Sequence, residues 1–257
     1  MRTLVTSLFI FVLANAAVAE DYNFSTIRSS DSSDWEFMIS PTLGIPASSG
    51  DLTIDSVGTT DLDVGLGDTP SNYRPWLGLD FEMIHQPSRL GLALGISYTD
   101  LENSINGPDR FFSFDADLSR LQMDALILFR LIDGDSTVDL YGGVQLTQYS
   151  VQAGGQDPSG FIDYNEDYDI IDPVIGLRAS PALTDTLSLH LQGDTSIGGD
   201  SDTMTNASAG LIWQQNEVLA LAFLYQVQWL DFKDDDGFEL DTVTHGPTFG
   251  LQFRFGS

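Results

Sequence analysis

The chain has 257 residues, 38 acids against 10 lysines and arginines for a formal charge of −28, and no cysteine. That balance repels nucleic acid and anionic surfaces. The lack of cysteine excludes a disulfide framework and a lipid-bearing lipoprotein thiol, so folding must rest on strand pairing and burial.

At the N-terminus Arg2 precedes an apolar run from Leu4 to Ala14, then Ala17-Val18-Ala19 before Glu20. This is the pattern of a cleaved secretory signal, here residues 1–19, and it implies Sec-type export. The run is shorter than the ~20 residues a spanning helix needs. Residues 20–34 are rich in Ser and Asp and read as a flexible periplasmic lead-in, leaving residues 35–257 for one all-β domain.

From Trp35 the pattern becomes period two: Trp35, Phe37, Ile39, Leu43 and Ile45 oppose Glu36, Ser40 and Thr42. Residues 46–74 read as a long loop with a small extramembrane hairpin around 52–66; if those pieces are full membrane strands, two more must be counted. Leu77, Leu79, Phe81 and Met83 oppose Asp80 and Glu82, the Gln86–Arg89 turn follows, and Leu90 to Tyr98 returns with Gly, Ala and Ser on the other face. In residues 112–131 the apolar parity changes between Leu118 and Leu121, which predicts a bulge near Ser119. Strands over 138–149, 171–178, 187–194 and 207–213 follow, then Leu219 to Trp229. The last, His245 to Phe255, alternates Phe249, Leu251, Phe253 and Phe255 with Thr248, Gly250, Gln252 and Arg254.

That gives about ten strands, with a range of 8–12, tight turns near 87, 134, 183 and 215, and looser links at 46–74, 102–111, 153–166, 198–201 and 234–239. The predicted fold is an antiparallel transmembrane β-barrel with short periplasmic turns, longer extracellular loops and both termini in the periplasm. Trp35, Phe129, Trp213 and Phe255 are expected at the periplasmic rim, and Trp229 with Tyr98 near the outer one, as aromatic girdles. The competing fold is a soluble lipocalin-like or sandwich protein with its oily faces inward. The small residues opposite the oily face favour the membrane barrel, because a soluble exterior carries more charge.

Several pieces carry a resemblance: Trp35-x-Phe37, Arg120-Leu-Gln-Met-Asp124, Asp172-Pro-Val-Ile-Gly-Leu-Arg178, Gly193-Asp194 with Gly198-Gly-Asp-Ser-Asp202, Tyr225 with Leu230-Asp231, and His245-Gly-Pro247 with Gly250. Together they resemble a family of uncharacterised Gram-negative outer-membrane β-barrel proteins, porin-like in type. The resemblance implies an outer-membrane location and a barrel, and it implies no catalytic residues.

On this register the lumen collects Glu36, Asp80, Glu82, Asp124, Asp139, Asp172 and Asp194 against Arg120, Arg130, Arg178 and Arg254, with His190 among them. Charges inside a small barrel are costly unless paired, so one reading is a salt-bridged plug. The other is a narrow, weakly cation-selective channel, since acids outnumber arginines. Acidic loops, above all Asp234, Asp235, Asp236 and Glu239, read as a solvated surface or as a weak Ca²⁺ or Mg²⁺ site; no other cofactor is expected. Surface binding, adhesion or receptor duty through the loops is the alternative function.

A hydrolase is a further alternative, with His85, His190 and His245 as the natural bases. His190 and Asp194 share a face, but four strand residues separate them by ~13 Å, so no catalytic residue is assigned unless His245 joins a loop Asp. The expected partners are outer-membrane lipid, lipopolysaccharide and, during insertion, the barrel-assembly machinery, with the protein itself a monomer.

Overall fold

A computed structural model describes residues 34–54, 58–65, 75–106, 113–157, 160–234 and 237–256. The leader and most of the lead-in lie outside the described residues, as do Asp235 and Asp236. Twelve strands form: β1 (Trp35–Gly44), β2 (Ala47–Ile54), β3 (Gly58–Val64), β4 (Trp76–His85), β5 (Leu90–Asn106), β6 (Ser113–Ile132), β7 (Thr137–Asp157), β8 (Gly160–Ser180), β9 (Leu187–Ser196), β10 (Thr203–Gln214), β11 (Leu219–Lys233) and β12 (Phe238–Phe255).

Ten of them close a barrel. β1, β4 and then β5 to β12 pair in that order, all antiparallel, and β12 returns to β1 through Phe37↔Phe255 and Leu43↔Phe249. β2 and β3 are not two more membrane staves. β12 is long enough to pair twice: its C-terminal half with β1, and its N-terminal half, Phe238 to His245, with β2. Pro46 interrupts what is otherwise one bent strand along β12, and β3 pairs with β2 and comes alongside β5. The expected extramembrane hairpin is therefore real, and it continues the barrel wall above the short β1 and β4.

Strand length exceeds what a bilayer needs. A tilted membrane strand uses ~9–11 residues, whereas β7 and β8 have 21 each. Of the stretches expected as loops, 153–166 lies largely within β7 and β8, 102–106 belongs to β5, and among the described residues of 234–239 only Phe238 and Glu239 enter a strand, where the β5–β6, β7–β8 and β11–β12 ladders reach their tips.

The excess length has its own packing. Near the turns, apolar side chains face outward: Ile127 is 65% exposed, Leu177 54% and Phe223 52%. A belt of that extent has to meet lipid rather than water. Beyond it the faces exchange roles. On β12, Phe249 faces out and Thr248 in, but further along Asp241 is exposed while Phe238 and Leu240 are buried. The inward set Leu52, Leu118, Val151, Ile170, Leu230 and Phe238, with five other buried side chains, forms one apolar core. There the β5–β8 ribbon faces β11, β12, β2 and β3, and Tyr168 stacks on Phe238 with ring centroids 3.9 Å apart.

This exchange corrects the expected bulge near Ser119. β6 pairs with β7 without a break from Phe114 to Arg130, and the register shifts only between Arg130 and Ile132. Leu118 points into the apolar core of the outer half and Leu121 into the lipid belt, so the parity of the apolar residues changes while the strand stays regular.

Candidate functional site

Within the lipid belt the inward positions are mixed, with small apolar clusters at Ile84–Leu128–Tyr141 and Ile212–Ala220–Ala222, and two layers of polar side chains cross the lumen between them. The lower layer begins with a register row, Arg130 on β6, Asp139 on β7 and Arg178 on β8, directly opposite one another in turn. Arg130 Nε donates to Asp139 Oδ1 at 3.0 Å, and its Nη1 reaches Glu36 across the barrel at 3.3 Å. Arg178 donates to Asp139 Oδ2 at 2.7 Å and crosses to β4, where it meets both oxygens of Glu82 at 2.7 and 2.9 Å. Asp139 is 1% exposed. Two-pronged pairing with several partners is the arrangement that lets charges stay buried.

The upper layer is mostly neutral. Arg120 on β6 donates to the Gln228 carbonyl oxygen on β11, the staves facing each other across the ring. Gln228 donates to Asn206 at 2.9 Å, and Asn206 donates to Asp194 at 2.7 Å. Tyr141 donates to the other oxygen of Asp194 at 2.8 Å. Arg120 also lies 5.9 Å above the Trp76 ring.

Between these layers is a chamber of about 260 Å³ lined by Asp80, Asp124, Trp76, Ser40, His190 and Asp194 among others. Below it opens a vestibule of about 760 Å³ at the turn end. Glu82, Arg178, His190, Met38 and Gln252 border both spaces. Above, the lumen narrows to a void of about 10 Å³ between Thr99, Leu118, Arg120 and Tyr149, which is room for about one water. The apolar core begins there.

The expected lumen residues thus divide. Glu82 and Arg178 form the bridge across the lumen, Asp80, Asp124, His190 and Asp194 line the chamber, and Arg254 lies in the vestibule, bonded to Gln252 at 3.2 Å. Asp172 needs correction. It sits above the chamber at 1% exposure, and its carboxylate accepts the backbone N–H of Ser201 at 3.0 Å. With Asp200, which accepts from Ile171 N at 2.9 Å, it clasps the β9–β10 turn to β8. Gly199 (φ +113°) is required there, since a Cβ would run into the Asp172 carboxylate. Tyr141, Asn206 and Trp76, which the sequence did not single out, complete the chamber. Their inward parity was readable once the strand faces were assigned.

Of the acidic loop, Asp234 turns the chain through its backbone to Phe238 and Gly237, and Glu239 pairs with Lys233 directly opposite. Among the described residues no three carboxylate or imidazole groups converge in a metal-binding cluster. Trp35, Phe129 and Trp213 are exposed toward the turn end and Phe255 is half-buried there, while Trp229 is exposed at the upper edge of the belt. His85 Nδ1 is 2.8 Å from Ser88 Oγ in the turn, and His245 Nδ1 is 2.6 Å from the Tyr225 hydroxyl on the outer wall.

The barrel fold has counterparts among solved structures. The outer-membrane protease OmpT from Escherichia coli aligns with a TM-score of 0.60 at 11% identity, over 86% of this chain and 97% of that one. The chain has the fold of an outer-membrane β-barrel. The translocator domain of the autotransporter NalP from Neisseria meningitidis aligns at 0.49 and 11% identity over 97% and 98% of the two chains. The outer membrane protein OprG from Pseudomonas aeruginosa aligns at 0.42 and 13% identity over 86% and 97%. No protein-family model matches the chain, and no curated protein does.

Proposed function

We propose that this protein is a monomeric, non-enzymatic barrel of the Gram-negative outer membrane, closed to flow from one side to the other, whose membrane half anchors the projecting outer half. The observation that carries this reading is the apolar core. Eleven inward side chains, none more than 6% exposed, fill the barrel above the chamber, and a dry apolar constriction is a barrier to ions even without a charged gate. The Glu82–Arg178 bridge narrows the lumen below. Among the described residues Asp51, Asp167, Asp169, Asp231 and Asp241 are exposed on the projecting strands, which suits a surface held in solution next to lipopolysaccharide and available to partners.

A narrow, weakly cation-selective channel is the second reading, favoured by the carboxylates of the chamber. Current across a planar bilayer in KCl separates the two. A correctly folded, heat-modifiable barrel is expected to pass no steady current. Cation-selective steps that change in an Asp80→Asn/Glu82→Gln variant would replace closure with conduction. A protease reading, prompted by the likeness to OmpT, draws support from fold alone. Asp194 is committed to Tyr141 and Asn206, and His245 to Tyr225.

A further inference from the structure

Asp80 on β4, Gly95 on β5 and Asp124 on β6 are direct partners in one register row, and Ser40 on β1 is the partner of Asp80 on its other side. All four belong to the chamber wall. Gly95 is the empty place in that row: a Cβ there would lie 3.0 Å from Asp80 Oδ1 and 3.1 Å from Asp124 Oδ2. The two carboxylates therefore lean over the same point from opposite sides.

Among the described residues no salt bridge neutralises either one, and Arg178 and Arg120 act on them only from a distance. Arg178 spends its guanidinium on Glu82 and Asp139, and Arg120 is turned to Gln228 and the Trp76 face. Asp124 accepts only the Gln122 amide, at 3.3 Å, and Asp80 has no hydrogen-bond or ion-pair partner among the described residues. Ser40, 6% exposed, keeps its hydroxyl oxygen unpartnered on the strand beside Asp80. Buried hydroxyls in native proteins are satisfied by protein, water or an ion, and two carboxylates this close do not both stay charged without a counter-charge.

We propose that the chamber is a divalent-cation site in which Asp80 and Asp124 supply the protein oxygens and water completes the shell, one of those waters bonding the Ser40 hydroxyl. Two carboxylates match a double positive charge. A volume of about 260 Å³ leaves room for several waters at ~30 Å³ each. The variable oxygen shell of Ca²⁺ suits two carboxylates and several waters in such a space better than the rigid octahedron of Mg²⁺ does. The ion reaches the chamber from the turn-end vestibule past Glu82 and Arg178. It ties β4 and β6 together across β5 as a fastener in the lumen, consistent with a barrel that does not conduct.

The test is equilibrium dialysis of the refolded, chelator-treated protein against Ca²⁺, counting bound ions in the parent, in Asp80→Asn/Asp124→Asn, and in Gly95→Ala, which keeps both carboxylates but fills the space between them. Asp231→Asn/Asp241→Asn removes outer-surface acids as a control. The proposal predicts one ion fewer, or at least tenfold weaker binding of that ion, in both lumen variants and no such loss of that ion in the control. Equal binding in the parent and Gly95→Ala overturns it. So does a protonated-carboxyl infrared band in the Ca²⁺-loaded parent that disappears in the double Asn variant, because the pair would then hold a proton instead. If the double variant does not refold, Gly95→Ala decides the matter.

Discussion

Arg178 on β8 holds both oxygens of Glu82 on β4, at 2.7 and 2.9 Å, across the full lumen. The same guanidinium also holds Asp139 on the neighbouring strand, so two buried carboxylates depend on it. Arg178→Met is expected to leave both short of a counter-charge and to lower stability by about 3–5 kcal/mol, the range for breaking a buried pair. Urea unfolding in detergent micelles checks it. A second change, Glu82→Met, should recover part of the loss, since Arg130 still serves Asp139.

Where β12 passes from β1 to β2, Gly246 lies against the bend, and a Cβ there would collide with the Ile45 carbonyl oxygen and lie 3.3 Å from the Pro46 Cα. Gly246→Ala is expected to cost about 1–3 kcal/mol by overpacking, concentrated where β2 joins the wall. Limited proteolysis should find residues 47–64 newly cleavable while the heat-modifiable shift of the membrane half remains.

Asp231 stands above Trp229 on the outward face. Asp231, Asp241, Asp51 and Asp61 are partners in one row across β11, β12, β2 and β3. Partial burial first, then Asp241, Asp202 and Glu239, push its carboxyl above the usual carboxylate range. With the folded value raised, the folded state keeps this proton to higher pH than the unfolded chain does. Its contribution is therefore greatest below the unfolded value near ~3.9 and is lost as pH rises through the folded one. Asp231→Asn should raise the unfolding midpoint at about pH 7 and leave it little changed at about pH 3. A gain of equal size at both would contradict this assignment.

The sequence made the membrane half legible because lipid imposes a strict period of two. Leu90, Leu92, Leu94 and Ile96 could face only one way, and the small or polar residues between them only the other. The outer half was not legible by the same rule. Leu118 and Leu121 lie on one regular strand with opposite parity, and a reading that expects one oily face per strand turns that into a bulge. Phe232, Phe238 and Leu240 were lost for a related reason, since the acidic residues around them read as loop. The inversion of solvent along a single strand, lipid outside below and water outside above, was the missing physical idea. The chamber residues were half visible: Asp80 and Asp124 follow from parity, but their meeting over Gly95 depends on cross-strand register, which a sequence fixes only after every turn is placed.

A closed barrel requires the outer half to be dry inside and wet outside, and the chain's lack of cysteine allows a direct measurement. Single variants Asp231→Cys and Phe232→Cys place neighbouring thiols on opposite faces of β11, one exposed and one within the apolar core. Intact cells displaying each variant would be treated with a membrane-impermeant sulfonated maleimide and the labelled fraction read by gel shift. The account predicts rapid labelling of Asp231→Cys and protection of Phe232→Cys, with Leu240→Cys protected as well. Labelling of Phe232→Cys and Leu240→Cys as fast as Asp231→Cys, in barrels that remain heat-modifiable, would mean a water-filled outer lumen and would contradict the closed barrel.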